Sequence, residues 1–171
     1  MGHTFSGFAP NRVSYTQCMF ATREATVADA ALITAHRRAM FLSMPNPNDA
    51  VLNQVNRAFE PWVRERLTDG RYLGWIVEDD GRVAGSAGML LVDWPPHPLH
   101  PDANQRGYLL NVFVEPEFRR RGLAHGLIKE CLAEAKRRGI RVVTLHASDA
   151  GRAVYEKLGF GSTNEMMFVE R

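Results

Sequence analysis

The spacing of apolar positions changes repeatedly along this chain, and each change marks a different kind of element. Residues 1–15 carry Gly2, Gly7, Pro10 and Asn11 without any period, which predicts a flexible arm ahead of a single domain over 16–171. Residues 18–24 read as a first strand. Thr26 then has the character of a helix N-cap, with Asp29 at its third helical position, before Ala30, Ile33, Ala35, Met40 and Phe41. Pro45 and Pro47 interrupt this helix. A second begins near Asn48 and carries Val51, Leu52, Val55, Phe59, Trp62, Val63 and Leu67 at three- and four-residue spacing, with a kink expected at Pro61 and an end at Gly70.

From Arg71 the period shortens to that of strands. Tyr72 to Glu78 and Arg82 to Val92 flank Asp79-Asp80-Gly81, a hairpin signal. Asp93 to Arg106 holds four prolines and two histidines and predicts a long loop lining the acceptor side of a site. An almost wholly apolar strand follows over 107–115. A helix over 120–138 has the stripe Leu123, Leu127, Ile128, Cys131, Leu132 and Ala135, with Gly139 as its C-terminal cap. A strand over 141–146, a helix over 149–158 ended by Gly159, and a closing strand pair near Phe160 and Met166 to Val169 complete the pattern. Hairpins followed by a strand–helix–strand unit imply a mixed sheet with helices on both faces, an α/β (α+β) architecture.

Composition narrows the class. The 171 residues suit one core, 45% hydrophobic and 23% charged content is ordinary for a globular chain, and a net charge of +2 does not argue for a nucleic-acid or membrane partner. The basic residues are nevertheless clustered: Arg119, Arg120, Arg121, Lys136, Arg137, Arg138 and Arg141 create a local positive field. Cys18 and Cys131 have no metal-ligand spacing and read as buried free thiols. The N-terminus lacks the pattern of a signal peptide and no apolar run is long enough to span a bilayer, so a cytoplasmic location is expected.

The most informative stretch is Tyr108 to Gly126. There Pro116 ends an apolar strand, and Arg119-Arg120-Arg121-Gly122-Leu123-Ala124 opens a helix. Gly122 and Ala124 keep bulk off the turn, and the first amides of the helix have no carbonyl four residues back. Those amides and the positive end of the helix dipole form an anion site. Neither a Gly-x-Gly-x-x-Gly dinucleotide motif nor the Gly-Lys-Ser/Thr end of a P-loop is present. A second motif follows at Gly151-Arg152-Ala153-Val154-Tyr155-Glu156-Lys157-Leu158-Gly159-Phe160.

The two motifs, in this order with a strand between them, resemble the GNAT superfamily of N-acetyltransferases. The firm resemblance covers residues 107–161. It implies a mixed, mostly antiparallel sheet of six to seven strands flanked by about four helices, with the strands at 107–115 and 141–146 splayed apart to admit the pantetheine arm of acetyl-coenzyme A. It also implies that the 119–125 turn wraps the pyrophosphate. Backbone amides of Arg120, Arg121, Gly122, Ala124 and His125 would face that group, with Arg119 and Leu123 in the same turn, while Val112, Phe113 and Val114 would pair with pantetheine amides. Many members carry asparagine seven residues before the tyrosine; Ser148 stands there in this chain.

In such an enzyme an amine attacks the thioester and coenzyme A leaves as a thiolate. By the resemblance Tyr155 is the general acid that protonates it, a phenol with pKa about 10 serving a thiol near 8.5. The base that deprotonates the amine is open among Glu115, His146 and Asp93, and an interior structural role is an equal reading of His146. His97 and His100 lie in irregular, proline-rich sequence and no metal is expected. Glu165, Met166, Met167, Trp62 and Trp94 are candidate borders of an acceptor pocket. The expected function is thus acetyl transfer from acetyl-coenzyme A to a primary amine in a ternary complex, with a homodimer the commonest assembly for such chains. A nucleic-acid-binding module built on the basic clusters and a catalytically silent coenzyme A-binding protein are the alternatives.

Overall fold

The structure is a computed structural model that describes residues 20–169, so the expected arm at 1–15 and Cys18 lie outside the described residues. The first strand is β1 (Phe20–Glu24). Thr26 opens the next element as expected: its amide donates to the Asp29 carboxylate at 2.7 Å, closing a capping box around one 3₁₀ turn, Val27–Asp29, before helix α1 (Ala30–Leu42). Ala35 faces outward, and Ala30, Ile33, Thr34 and His36 are the buried positions of α1. Helix α2 (Asp49–Thr68) starts at Asn48, whose side chain accepts from the Val51 amide, and runs through Pro61 as one helix.

Strands β2 (Tyr72–Asp79) and β3 (Arg82–Asp93) meet at Asp80 and Gly81, both with positive φ (49° and 77°), the two-residue turn whose twist matches a hairpin. Strand β4 (Gln105–Val114) pairs antiparallel with β3. A 3₁₀ turn at Pro116–Phe118 leads to helix α3 (Leu123–Arg137), then a short strand β5 (Val143–Leu145) and helix α4 (Asp149–Glu156). The strands order as β1-β2-β3-β4-β5, antiparallel except for the last pair, β4 with β5, which is parallel.

Among the described residues the sheet therefore has five strands, not the expected six to seven. The expected strand over 141–146 shrinks to three residues, and α3 begins at Leu123 because Arg120 and Gly122, with φ of 62° and 80°, cannot continue a right-handed helix. Phe160 to Val169 forms no strand. Polar Ser162, Thr163 and Asn164 interrupt it, and Met166, Met167, Phe168 and Val169 remain 94%, 71%, 91% and 66% exposed, so neither ladder nor burial holds them extended.

Helix α3 covers one face of the sheet with Leu123, Leu127, Ile128, Cys131 and Ala135 against Trp75, Val77, Ala87, Met89 and Leu109. Helices α1 and α2 cover the other, packing Ile33, Phe59 and Val63 on Tyr72 and Leu110. Full burial of each such side chain stabilises by about 1.5–3 kcal/mol. Cys131 is wholly buried and burial pushes its thiol well above the ordinary range, so it is an inert core residue.

Candidate active site

Two irregularities of β4 shape the site. The first is the end of its pairing with β5. Gly107, Tyr108 and Leu109 face Val143, Thr144 and Leu145, after which β4 continues to Val114 without a neighbour on that side. The gap left beside the rest of β4, a wedge on the side where β5 stops, lies where the resemblance expects the splayed pair. Alternation decides which backbone groups face it. The Glu115 amide donates to the Ala84 carbonyl on β3, so the groups of Val114 and Val112 turn into the wedge while those of Phe113 turn to β3. The Phe113 side chain is buried against His36.

The second irregularity is a bulge. Ser86 faces Phe113 and Gly88 faces Leu110, so the single residue Ala87 stands opposite both Asn111 and Val112. Asn111 takes φ of 56° there, a strained conformation that asparagine tolerates better than most residues. Its side chain is held from both ends: Nδ2 donates to the Tyr72 hydroxyl at 3.1 Å and Oδ1 accepts from Arg37 Nη1 at 2.6 Å. Tyr72 fits only because Gly88 has no side chain; a Cβ there would lie 2.0 Å from the Tyr72 hydroxyl oxygen.

At the wide end of the wedge stands the 119–125 turn. The Gly126 amide bonds the Gly122 carbonyl at 3.0 Å, so the amides of Leu123, Ala124 and His125 precede the helical ladder and point outward. A Cβ built on Gly122 meets no atom within 4 Å, leaving open space where an anion would sit. The arginine side chains are directed elsewhere. Arg119 Nε donates to the Val114 carbonyl at 3.0 Å and Arg121 Nη2 to the Glu117 carbonyl at 3.4 Å, while Arg137 and Arg138 pair with Glu134. Much of the basic cluster is therefore engaged within the protein.

At the closed end of the wedge the Tyr108 hydroxyl and His146 Nδ1 share a hydrogen bond. His146 lines a cavity of about 340 Å³ with Tyr155, Glu165, Arg152 and Thr163. Tyr155 is half-buried beneath Phe160, ring centroids 5.8 Å apart, and burial raises its phenol pKa above the ordinary value. It stays protonated throughout the neutral range, as a general acid must. Ser148 caps α4, its hydroxyl accepting from the Gly151 amide at 3.2 Å, which is how the Tyr155 helix is anchored to the end of β5.

The three candidate bases are not brought together. Asp93 pairs with Gln105 at the far end of the β3–β4 ladder, about 20 Å from Asn111 at 3.3 Å per residue along β4. The loop between them is ordered by its own contacts: Arg106 lies 4.0 Å from the Trp94 ring and donates to His100 Nε2 at 2.9 Å, while His100 Nδ1 bonds the Ala103 carbonyl. Both nitrogens of His100 are thereby used. Trp62 stacks on Phe59 at 5.4 Å, as a packing residue.

Glu115 stands four residues beyond Asn111, with Oε1 3.4 Å from His36 Nε2. His36 Nδ1 is 2.7 Å from the Ser86 hydroxyl. Burial pulls the His36 pKa down to about 4, so at neutral pH it is uncharged. With hydrogen on Nε2, Ser86 donates to Nδ1 and the Nε2–H faces the Glu115 carboxylate. A depressed histidine pKa means that the unfolded chain takes up the proton first. Stability should therefore fall as pH drops from about 6.5 to about 4, by roughly 3 kcal/mol at most from this residue. Melting temperatures across that window should decline less steeply for His36→Gln; parallel curves for the two proteins would remove His36 as the cause.

Sequence reading missed Arg37, His36, Ser86, Tyr72 and Asn111. The one local signal was Asn111 itself, a polar residue within an apolar strand.

A five-stranded mixed sheet with a wedge beside its fourth strand, free helix amides at the wide end and a tyrosine along one side defines a class of acyl-group-transferring folds. The acetyltransferase (GNAT) family profile matches residues 36–160, and the chain belongs to that family. Among solved structures it is similar to a GCN5-related N-acetyltransferase from Ralstonia eutropha JMP134, 35% identical with a TM-score of 0.85, covering 89% of this chain and 99% of that one. A predicted acetyltransferase with acetyl-CoA from Clostridium acetobutylicum is 27% identical with a TM-score of 0.78, covering 89% and 96%. Human N-acetyltransferase 8 is 31% identical over 97 residues, 55% of this chain and 40% of that protein. The [ribosomal protein bS18]-alanine N-acetyltransferase of Escherichia coli K12 is 29% identical over 115 residues, 64% of this chain and 70% of the relative. The match thus spans less than half the length of the human protein. Among the described residues no helix is long and apolar enough to cross a membrane.

Proposed function

We propose that this protein is an acetyl-coenzyme A-dependent N-acetyltransferase that passes the acetyl group directly to a primary amine in a ternary complex. The observation that carries the reading is the wedge beside β4, with backbone groups of Val112 and the Val114 amide turned toward it along one wall and the outward amides of Leu123, Ala124 and His125 at its wide end. Extended amide-bearing chemistry fits the wall, a pyrophosphate fits the helix terminus, and the Clostridium relative was crystallised with acetyl-CoA. Bound there, acetyl-coenzyme A supplies an activated acyl carbon.

The chain's own groups then manage protons. His146 is the better placed base, since it lies at the closed end of the wedge in the cavity that holds Tyr155, whereas Glu115 lies about 23 Å further along extended chain from Tyr108 and faces His36. With Nδ1–H donated to the Tyr108 oxygen, His146 Nε2 keeps a lone pair that takes the ammonium or amine proton. The neutral nitrogen attacks the acyl carbon, the C–S bond breaks as the tetrahedral intermediate collapses, Tyr155 gives its proton to the departing thiolate, and the extra proton on the acylated nitrogen restores the Tyr155 phenol. Any amine bound next to Glu165 also meets a carboxylate in the same cavity.

Thermal melting with acetyl-coenzyme A, NADH and ATP tests the reading. At an excess near 100-fold over Kd, acetyl-coenzyme A should add about 2.7 kcal/mol and raise Tm by about 5–10 °C, with the nucleotides much weaker. Equal shifts from all three would reduce the turn to a generic anion site. Thiol release that depends on an added amine would complete the case for transfer.

A further inference from the structure

Arg37 is a cation without a counter-ion among the described residues. Among the described residues no carboxylate lies within ion-pair distance of it, although Arg23, Arg38, Arg64, Arg66, Arg71, Arg82, Arg137 and Arg138 each have one. Its guanidinium lies between two rings, 4.7 Å from the centroids of both Phe41 and Phe59. Nη1 is used by Asn111, while Nε is shielded from solvent and has no partner among the described residues. Burial lowers the pKa, opposed weakly by the phenols of Tyr72 and Tyr108. A guanidinium keeps its charge even so. The chain thus holds a desolvated cation and an unsatisfied donor beside the strained residue of β4, an arrangement that costs stability and that packing alone does not require.

The surroundings are polarised. Burial raises the Tyr108 phenol pKa, Glu165 adds to that rise and Arg37 opposes it. Glu165 also lines the cavity of His146 and Tyr155. A positive group and a negative group thus both act on the phenol at the closed end of the wedge. With Nη1 taken by Asn111 and Nε shielded, Nη2 is the donor left to meet an acceptor group, and its charge makes a carboxylate the fitting one.

We propose that Arg37 is the specificity-determining residue of the acceptor side, binding a carboxylate on the molecule whose amine is acetylated, so that the acceptor is a small amino-acid-type amine and not a polycation or a peptide N-terminus. The proposal rests on the acetyltransferase reading and deepens it. Carboxylate and amine of such a molecule are drawn toward Arg37 and Glu165 respectively, which turns the nitrogen toward the wedge. Phe41 and Phe59 exclude water from the ion pair and strengthen it.

The experiment is an acceptor panel read by coenzyme A thiol release. It contains the standard L-amino acids, their carboxamides, their decarboxylated amines, spermidine and kanamycin. Carboxylate-bearing amines should be preferred over the matching carboxamides by about 100-fold in kcat/KM. Arg37→Gln should raise KM for the preferred acceptor about 100-fold and erase the carboxylate preference, with acetyl-coenzyme A affinity by calorimetry kept within a few-fold. Arg37→Lys, which keeps the charge and loses the planar guanidinium, should fall between them. Spermidine, kanamycin or the carboxamides turning over as well as or better than the carboxylates would overturn the inference while leaving the acetyltransferase reading intact. So would an unchanged KM in a folded Arg37→Gln protein. No thiol release with any amine would overturn both readings.

Discussion

Replacing Gly122 with valine is expected to lower acetyl-coenzyme A affinity by at least about 100-fold, roughly 3 kcal/mol. The reason is geometric. A Cβ on Gly122 projects into space empty of protein atoms beside the outward amides of α3, the place assigned to the pyrophosphate, and a β-branched side chain would fill it. Gly122 also has φ of 80°, so any side chain adds backbone strain of about 1–2 kcal/mol that has nothing to do with the ligand. Gly139 separates the two effects. It has φ of 72°, equally open surroundings, and lies at the opposite end of α3. Gly122→Ala and Gly139→Ala should lower Tm by similar amounts, whereas only the former should weaken the cofactor. Equal calorimetric affinities in the two folded variants would displace the pyrophosphate from this turn.

Tyr155→Phe is expected to lower kcat about 10- to 1,000-fold, or 1.4–4 kcal/mol of transition-state stabilisation, with acetyl-coenzyme A affinity within a few-fold of the parent. The ring remains to pack against Phe160, and only the hydroxyl is removed. Because burial raises the phenol pKa, the acid is loaded at all working pH values and its loss should appear as a lower plateau, not as a displaced pH profile. Acyl donors with more acidic thiols need the proton less and should narrow the gap between the two enzymes. Wild-type kcat under conditions where chemistry limits the rate would leave Tyr155 a packing residue.

The features legible in the chain are those whose cause is local. Thr26 and Asp29 form the capping box that their spacing announced, because a cap needs only residues within one turn. Asp80-Gly81 makes the hairpin, since its two residues are among the few that accept positive φ. Arg119 to Ala124 opens α3 as a turn with free amides, and Tyr155 lies on a helix capped by Ser148, both readable because strand, turn and helix follow one another without interruption. Where local signals were weak the reading overreached. Met166 to Val169 has the composition of a strand, yet composition does not supply a neighbouring ladder, and the segment stays exposed.

What the sequence by itself determined is therefore the order of elements, the open turn ahead of α3 and the tyrosine helix, all consequences of periodicity, capping and the few residues that tolerate left-handed backbone. Only the tertiary structure decided what stands beside the candidate site. Arg37 meets Asn111 across 74 residues of chain and His36 meets Ser86 across 50, and both contacts exist because α1 packs against the sheet exactly where the β4 bulge interrupts its register. The ends of the wedge have the same origin: Tyr108 reaches His146 across 38 residues because β5 pairs with β4 for three residues and then departs. Contacts of this kind depend on strand register and helix docking, which are set by the burial of whole apolar faces and leave no mark in the residues between.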